Sequence, residues 1–163
     1  MPIYRFQIET GLSPQATIAR IKELVGPARS FWAGVQYSFG PGDAVPPFVG
    51  TVEGDRFRMR RDIRYRNSFL PLVWGRIVSG RRGSRVRVTV FMQPLVAAFM
   101  AVWFYGLGSV TVSLLEEPDT APRWAALFPL GLLLFGVVVI SIGFFSEAIK
   151  ARRLLEHALG LRL

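Results

Sequence analysis

The chain has 163 residues, of which 51% are hydrophobic, and a formal net charge of +9 from 20 basic and 11 acidic residues. It has no cysteine and one histidine, which excludes disulfides, thiolate metal sites and cysteine nucleophiles and leaves little for acid–base chemistry. A mean hydropathy of +0.35 beside so large a charge indicates that apolar and basic residues occupy different parts of the chain.

The N-terminal part predicts a small α+β domain. Residues 3–9 alternate polar and apolar side chains, which is typical of a half-buried strand. Ser13-Pro14 suits the start of a helix that ends at Gly26-Pro27, with Ile18, Ile21, Leu24 and Val25 as its apolar stripe. Four strand-like segments follow: Phe48–Glu53, Arg56–Asp62, Leu72–Ser79 and Arg85–Met92. We expect residues 1–93 to form one basic domain made of a strand, a helix and about four antiparallel strands.

A string of unusual composition lies between the second and third of these segments. Tyr65-Arg66-Asn67-Ser68-Phe69-Leu70-Pro71 suits a turn in which side chains bond their own backbone. Over residues 48–105 the chain resembles a type of small bacterial membrane protein that shares Phe48-Val49-Gly50, Arg56-Phe57, Arg64 to Phe69, Gly75-Arg76-Ile77, Val86-Arg87-Val88 and Gln93-Pro94. The resemblance implies a cytoplasmic domain followed by a membrane hairpin, and it implies no catalytic activity.

Two long apolar runs follow the domain. Residues 94–115 and 124–146 hold 22 and 23 residues without a charge, and a bilayer core needs about 20 helical residues. The acidic segment 116–123 between them is short and contains prolines. We therefore expect residues 94–146 to form a transmembrane hairpin. The alternative is a buried hairpin in a soluble protein, which so small a chain has difficulty enclosing.

The distribution of Lys and Arg predicts the orientation of this hairpin. Residues 1–93 hold 15 of them, segment 116–123 holds only Arg123, and residues 147–163 hold four. The positive-inside rule then places both termini in the cytoplasm and the short loop on the far side. The N-terminus lacks the basic and apolar regions of a signal peptide. The predicted location is the bacterial inner membrane.

Aromatic residues near the middle of the first run predict a helical partner. Trp103 and Tyr105 lie about 15 Å along the helix, whereas Trp and Tyr usually prefer the membrane interfaces. Two helices cannot enclose all of these rings. We expect contact with other integral-membrane subunits, or self-association in a homo-oligomer, through Phe99, Trp103, Tyr105, Gly106 and Val110.

Residues 147–163 are predicted to continue as a cytoplasmic amphipathic helix. Leu154, Leu155, Ala158 and Leu159 share one face, and basic residues take most of the rest. Such a helix either lies on the lipid surface or docks on the domain.

The arginines are the candidate binding residues. Arginine supplies 18 of the 20 basic residues, and in places it alternates with apolar residues, which puts guanidinium groups on one face of a strand. Ordinary solvated charge, anionic lipid, an acidic protein surface and nucleic acid all fit a basic face. A domain next to an anionic leaflet favours lipid or protein over nucleic acid. The candidates are Arg81, Arg82, Arg85, Arg87, Arg152 and Arg153.

No motif predicts a catalytic, metal or cofactor site. His157 has neither a nucleophile motif nor further ligands beside it, and Gly40-Pro41-Gly42 lacks the Lys-Ser/Thr pair of a phosphate loop. We expect a non-enzymatic accessory subunit of a larger inner-membrane complex, with energy-transducing (photosynthetic or respiratory) complexes as the commonest setting. The alternative is a free-standing membrane-tethered module that senses lipid or ligand. An enzyme that uses Asp55 and Asp62 on a lipid or polyprenyl substrate is a weaker third hypothesis.

Overall fold

The computed structural model describes residues 2–27, 46–63, 65, 67–116 and 122–160. These residues form a mixed α+β structure with a six-stranded sheet and three helices. The elements are β1 (Ile3–Thr10), α1 (Pro14–Leu24), β2 (Val25–Pro27), β3 (Phe48–Glu53), β4 (Arg56–Arg61), β5 (Leu72–Gly80), β6 (Gly83–Phe91), α2 (Pro94–Glu116) and α3 (Leu127–Ala158). One turn of 3-10 helix, Arg123–Ala126, leads into α3.

The sheet has the strand order β1-β6-β5-β4-β3-β2. All neighbouring strands are antiparallel except β2 and β3, which are parallel. The predicted strands are confirmed to within two residues, but the prediction of about four strands after α1 omitted β2. Val25, assigned to the helical stripe, begins this strand. Three residues are too few to show the alternation of polar and apolar side chains that indicates a strand, and Gly26-Pro27 resembles an ordinary helix stop.

One face of the sheet is covered by α1 and by the last turns of α3. The Ser13 side chain caps α1 by accepting from the Ala16 N–H at 3.2 Å, as predicted. On the inner side of α1, Ile21 is fully buried, and the Thr17 and Ser84 hydroxyls lie 2.7 Å apart. Alternation along the strands turns their apolar residues toward these helices; the larger ones are Phe6, Ile8, Phe48, Phe57, Met59, Val73, Ile77, Val86, Val88 and Val90.

The C-terminal part of α3 is part of the domain core. The helix runs without a break through the junction predicted at residue 147 and ends at Ala158, whereas residues 161–163 of the predicted tail lie outside the described residues. Ala148, Ala151, Leu155 and Leu159 recur at helical spacing and are buried against the sheet. Of the two placements expected for the tail, the structure has the helix docked on the domain.

The two long helices leave the domain side by side. β6 ends at Phe91 and α2 begins at Pro94, which is where the first apolar run of the sequence begins. Both α2 and the segment Arg123–Ala158 are long and apolar enough to cross a membrane, and only 11% and 17% of their most apolar windows are buried in the chain. Of the predicted loop 116–123, residues 117–121 lie outside the described residues.

Candidate functional site: a polar joint and an open arginine face

The connection from β4 to β5 contacts α3 where the helix passes from its apolar part to its charged part. We call this contact the joint; its residues are Arg61, Tyr65, Asn67, Phe69, Gly143, Glu147 and Lys150. Its centre is Glu147, whose side chain is only 1% exposed. Arg61 and the Tyr65 hydroxyl each donate a hydrogen bond to the Glu147 carboxylate. The ammonium of Lys150 lies 3.0 Å from the same carboxylate.

Asn67 and Phe69 complete the joint on the preceding turn of α3. The Asn67 side chain donates to the Gly143 carbonyl at 3.2 Å and accepts from the Phe69 N–H at 2.9 Å. This second bond is the local turn that the composition of the string predicts. A side chain at Gly143 would place its Cβ 3.0 Å from the Phe69 ring. A side chain at position 143 would therefore require the Phe69 ring to shift by a few tenths of an ångström.

The other face of the sheet is not covered by any helix or strand among the described residues. We call it the open face; its basic residues are Arg5, Arg56, Arg58, Arg60, Arg76, Arg85 and Arg87. The register sets Arg56 opposite Arg76, and Arg76 opposite Arg87, on three neighbouring strands. Like charges at directly opposed positions destabilise a sheet, so this row of three guanidinium groups opposes the stability of the isolated domain.

Two carboxylates neutralise part of the open face. Asp55 lies 2.7 Å from Arg76 and 4.0 Å from Arg56. The hydrogen bond from Arg76, opposed in part by burial, keeps the pKa of Asp55 below its ordinary value. Asp55 is therefore ionised at neutral pH. Glu9 accepts from the Arg85 Nε at 2.8 Å. Among the described residues no carboxylate pairs with Arg58, Arg60 or Arg87.

A cleft of about 300 Å³ opens on this face near the helical hairpin. The Trp74 ring, 44% exposed, forms one wall. Arg58 stacks over it with 4.6 Å from Cζ to the ring centroid, and Phe91 packs edge-on at 4.8 Å between centroids. The lining residues are Val49, Gly50, Arg58, Met59, Arg60, Leu72 and Trp74. The sequence shows the alternating arginines of this region. It does not single out Trp74, because the arginine that stacks on it, Arg58, lies on the neighbouring strand.

The predicted basic candidates are spread over several places. Arg87 lies exposed on the open face, and Arg85 is paired with Glu9 on the same face. Arg81 and Arg82 form the exposed turn between β5 and β6. This turn lies at the end of the sheet away from the helical hairpin, because the strands pair Gly80 with Gly83 there and Leu72 with Phe91 at the other end.

Arg152 and Arg153 lie on the docked part of α3. Arg152 donates to Glu156 at 2.6 Å and to the Tyr4 hydroxyl at 2.7 Å, and it lies over the Phe6 ring. These contacts attach α3 to β1. Arg153 is exposed. Of the six candidate arginines, the structure therefore brings only two, Arg85 and Arg87, together on the open face.

The predicted partner-contact residues lie on α2. Phe99, Tyr105 and Val110 are exposed, at 65%, 78% and 50%, and Gly106 is exposed beside them. Trp103 is half-buried and faces α3, where a Cβ on Gly136 would lie 2.4 Å from its ring. The exposed residues leave an uncovered apolar surface, whereas Trp103 supplies the contact within the hairpin.

The candidate acid–base residues do not form a cluster. Asp55 is paired with Arg76 just before β4, Asp62 follows the other end of this strand, and His157 is exposed on α3. In the part of the chain that the structure describes, no three His, Cys, Asp or Glu residues come close enough to hold a metal ion. Comparison with protein-family models, curated proteins and solved structures finds no match.

Proposed function

We propose that the protein is a non-enzymatic accessory subunit of a bacterial inner-membrane complex, anchored by its helical hairpin, with the open face directed to an acidic partner. The observation that carries the proposal is the one-sided sheet. Helices cover one face, while the other presents Arg56, Arg76 and Arg87 in one row. Asp55 pairs with Arg76 and lies near Arg56, and no carboxylate among the described residues pairs with Arg87. Carboxylates of a partner would relieve the repulsion within this row.

The exposed apolar surface of α2 and α3 supports the membrane part of the proposal. A core helix of a soluble protein is mostly buried, whereas these two are mostly exposed. An N-terminal signal sequence does not explain helices that begin at Pro94 and Arg123. A surface this apolar is stable when covered by lipid or by other helices. Phe99, Tyr105 and Val110 are the residues we assign to a neighbouring helix.

The test is mild detergent extraction from the native host, followed by a native gel and mass spectrometry of the band. We expect the wild-type chain to migrate with larger subunits at fixed stoichiometry. The variant Arg76→Ser/Arg87→Ser removes two charges from the open face and should migrate alone. The matched control, Arg20→Ser/Arg153→Ser, removes two exposed charges from the helices and should remain in the complex. Wild-type chain that migrates alone would refute the proposal.

A membrane-tethered module that senses lipid or ligand is the second candidate. It is favoured by the cleft beside Trp74, whose volume of about 300 Å³ suits a small ligand. Two arginines of this cleft, Arg58 and Arg60, have no carboxylate partner among the described residues. Migration of the wild-type chain alone, or as a small homo-oligomer, would favour this candidate.

A further inference from the structure

We propose that the Trp74 cleft binds the phosphate headgroup of an anionic phospholipid from the leaflet that faces the domain. The inference rests on the membrane anchoring in the proposed function, but not on a partner subunit. It differs from the sequence-based expectation, in which the candidates for anionic lipid or an acidic partner surface were Arg81, Arg82, Arg85, Arg87, Arg152 and Arg153.

The first argument is position. Arg60 and Leu72 pair across β4 and β5, and Leu72 pairs with Phe91 of β6. Phe91 is three residues before Pro94, the first residue of α2. Three extended residues span at most about 10 Å. Measured along the strands, Arg60 is therefore within about 10 Å of the level at which α2 begins, and Arg58 and Trp74 are about 7 Å further from it.

The second argument is the contrast with the other end of the sheet. From Phe91 to Gly83, β6 extends over eight further residues, or about 26 Å at 3.3 Å per residue. Because α3 follows the sheet from Glu147 near β4 to Leu159 beside Thr10, the strands extend away from the hairpin. Arg81 and Arg82 are then too far from the bilayer for attraction to its surface charge.

The third argument is the chemistry of the cleft. Arg58 and Arg60 have no carboxylate partner among the described residues, and their planar guanidinium groups match the oxygens of a phosphate. The Trp74 ring holds Arg58 in place by a cation–π contact at 4.6 Å. Tryptophan and leucine beside the arginines suit a site where headgroup and acyl chain meet. The cleft volume of about 300 Å³ is at the lower end for small-molecule sites, which suits a glycerophosphate group.

The experiment measures lipid binding to the purified full chain in detergent by native mass spectrometry. Phosphatidylglycerol is titrated against phosphatidylcholine, and inorganic phosphate serves as the soluble anion. We expect the wild-type chain to bind phosphatidylglycerol at least fivefold more tightly than phosphatidylcholine. Arg58→Gln/Arg60→Gln should weaken phosphatidylglycerol binding by about 25-fold, since the loss of one guanidinium–phosphate hydrogen bond at each position corresponds to about fivefold.

The matched control is Arg81→Gln/Arg82→Gln, which removes the same charge at the far end of the sheet and should change the affinity by less than twofold. Circular dichroism of both variants checks that the sheet remains folded. Equal losses in the two variants, or equal binding of the two lipids, would refute the site. Inorganic phosphate that binds as tightly as phosphatidylglycerol would also refute it, because the cleft would then be a soluble-anion site. Co-migration with other subunits, which tests the proposed function, does not enter any of these readouts.

Discussion

Glu147 is a buried carboxylate that receives donors from two different parts of the chain. Arg61 and Tyr65 come from β4 and the connection that follows it, while Lys150 lies one turn further along α3. A charge with 1% exposure is costly to bury unless it is fully paired. Here the pairing joins β4 and the connection after it to α3. The interaction therefore links the sheet to the helical hairpin.

We expect Glu147→Gln to lower the free energy of unfolding by about 2 kcal/mol. This is less than the roughly 3–5 kcal/mol of a fully buried pair, because Arg61 and Lys150 keep some contact with solvent. Thermal unfolding of the detergent-solubilised chain, followed by circular dichroism, measures the change. The control Glu23→Gln breaks the exposed pair with Arg20 and should cost less than about 0.5 kcal/mol. Similar costs for the two variants would show that the joint does not hold the domain to α3.

The residues of the joint show what the sequence can and cannot predict. The string around Asn67 is recognisable as a turn, because the Asn67 side chain bonds the Phe69 N–H only two positions away. The contact between Asn67 and Gly143 spans 76 positions, and no local pattern reports it. Glu147 was the available signal, since it is the first acid after 23 uncharged residues. Its partners are determined by the fold.

At the scale of elements, α2 and α3 approach closely at Gly136, beside the rings of Trp103 and Phe104. The ring of Trp103 occupies the space where a side chain at Gly136 would be. The sequence predicts both helices, because long uncharged runs are a local property. It does not predict that Trp103 faces the other helix while Phe99 and Tyr105 remain exposed, because the rotation of two apolar helices about their axes leaves no pattern of polar and apolar residues.

We expect Gly136→Ala to destabilise the hairpin by about 1–3 kcal/mol, because its Cβ would lie 2.4 Å from the Trp103 ring and overpacking has a cost of that size. Gly131→Ala in the same helix meets no atom within 4 Å and should be neutral or stabilise α3 by up to about 1 kcal/mol. Thermal unfolding of the two variants provides the comparison. If both substitutions stabilise the chain, the Trp103 ring does not contact Gly136.

The docking of α3 on the sheet is the element-scale feature that the sequence left open. An apolar stripe at residues 154–159 is visible in the sequence, but it suits a lipid surface and a protein surface equally. The buried positions begin earlier, with Phe144, Ala148 and Ala151. The small side chains of the two alanines let the helix approach the strands. We expect Ala151→Leu to weaken this contact by about 1–3 kcal/mol through overpacking. The control Arg153→Leu changes an exposed position of the same helix. In the same unfolding assay it should lower the stability by less than half as much as Ala151→Leu.

At the scale of the whole molecule, the continuous helix α3 determines how the sheet is placed relative to the hairpin. The helix is attached near the hairpin by Glu147 and at the far end by the Thr10 hydroxyl, which donates to the Leu159 carbonyl at 3.1 Å. Two attachments along one rigid helix prevent the sheet from swinging freely. With the hairpin in a bilayer, the strands should therefore extend away from the membrane surface rather than lie along it.

This geometry predicts a gradient of distance from the lipid headgroups along the sheet. Because the chain contains no cysteine, single substitutions Ile3→Cys, Gln7→Cys and Arg82→Cys can each carry one fluorescent label in lipid nanodiscs. Ile3 pairs with Phe91 and Gln7 with Arg87, so Gln7 lies about 13 Å further from the hairpin at 3.3 Å per residue. Energy transfer to a dye on the headgroups should be strongest at position 3, intermediate at 7 and weakest at 82. Equal transfer at positions 3 and 82 would mean that the sheet lies flat on the membrane, and the headgroups could then reach Arg81 and Arg82 as easily as the Trp74 cleft.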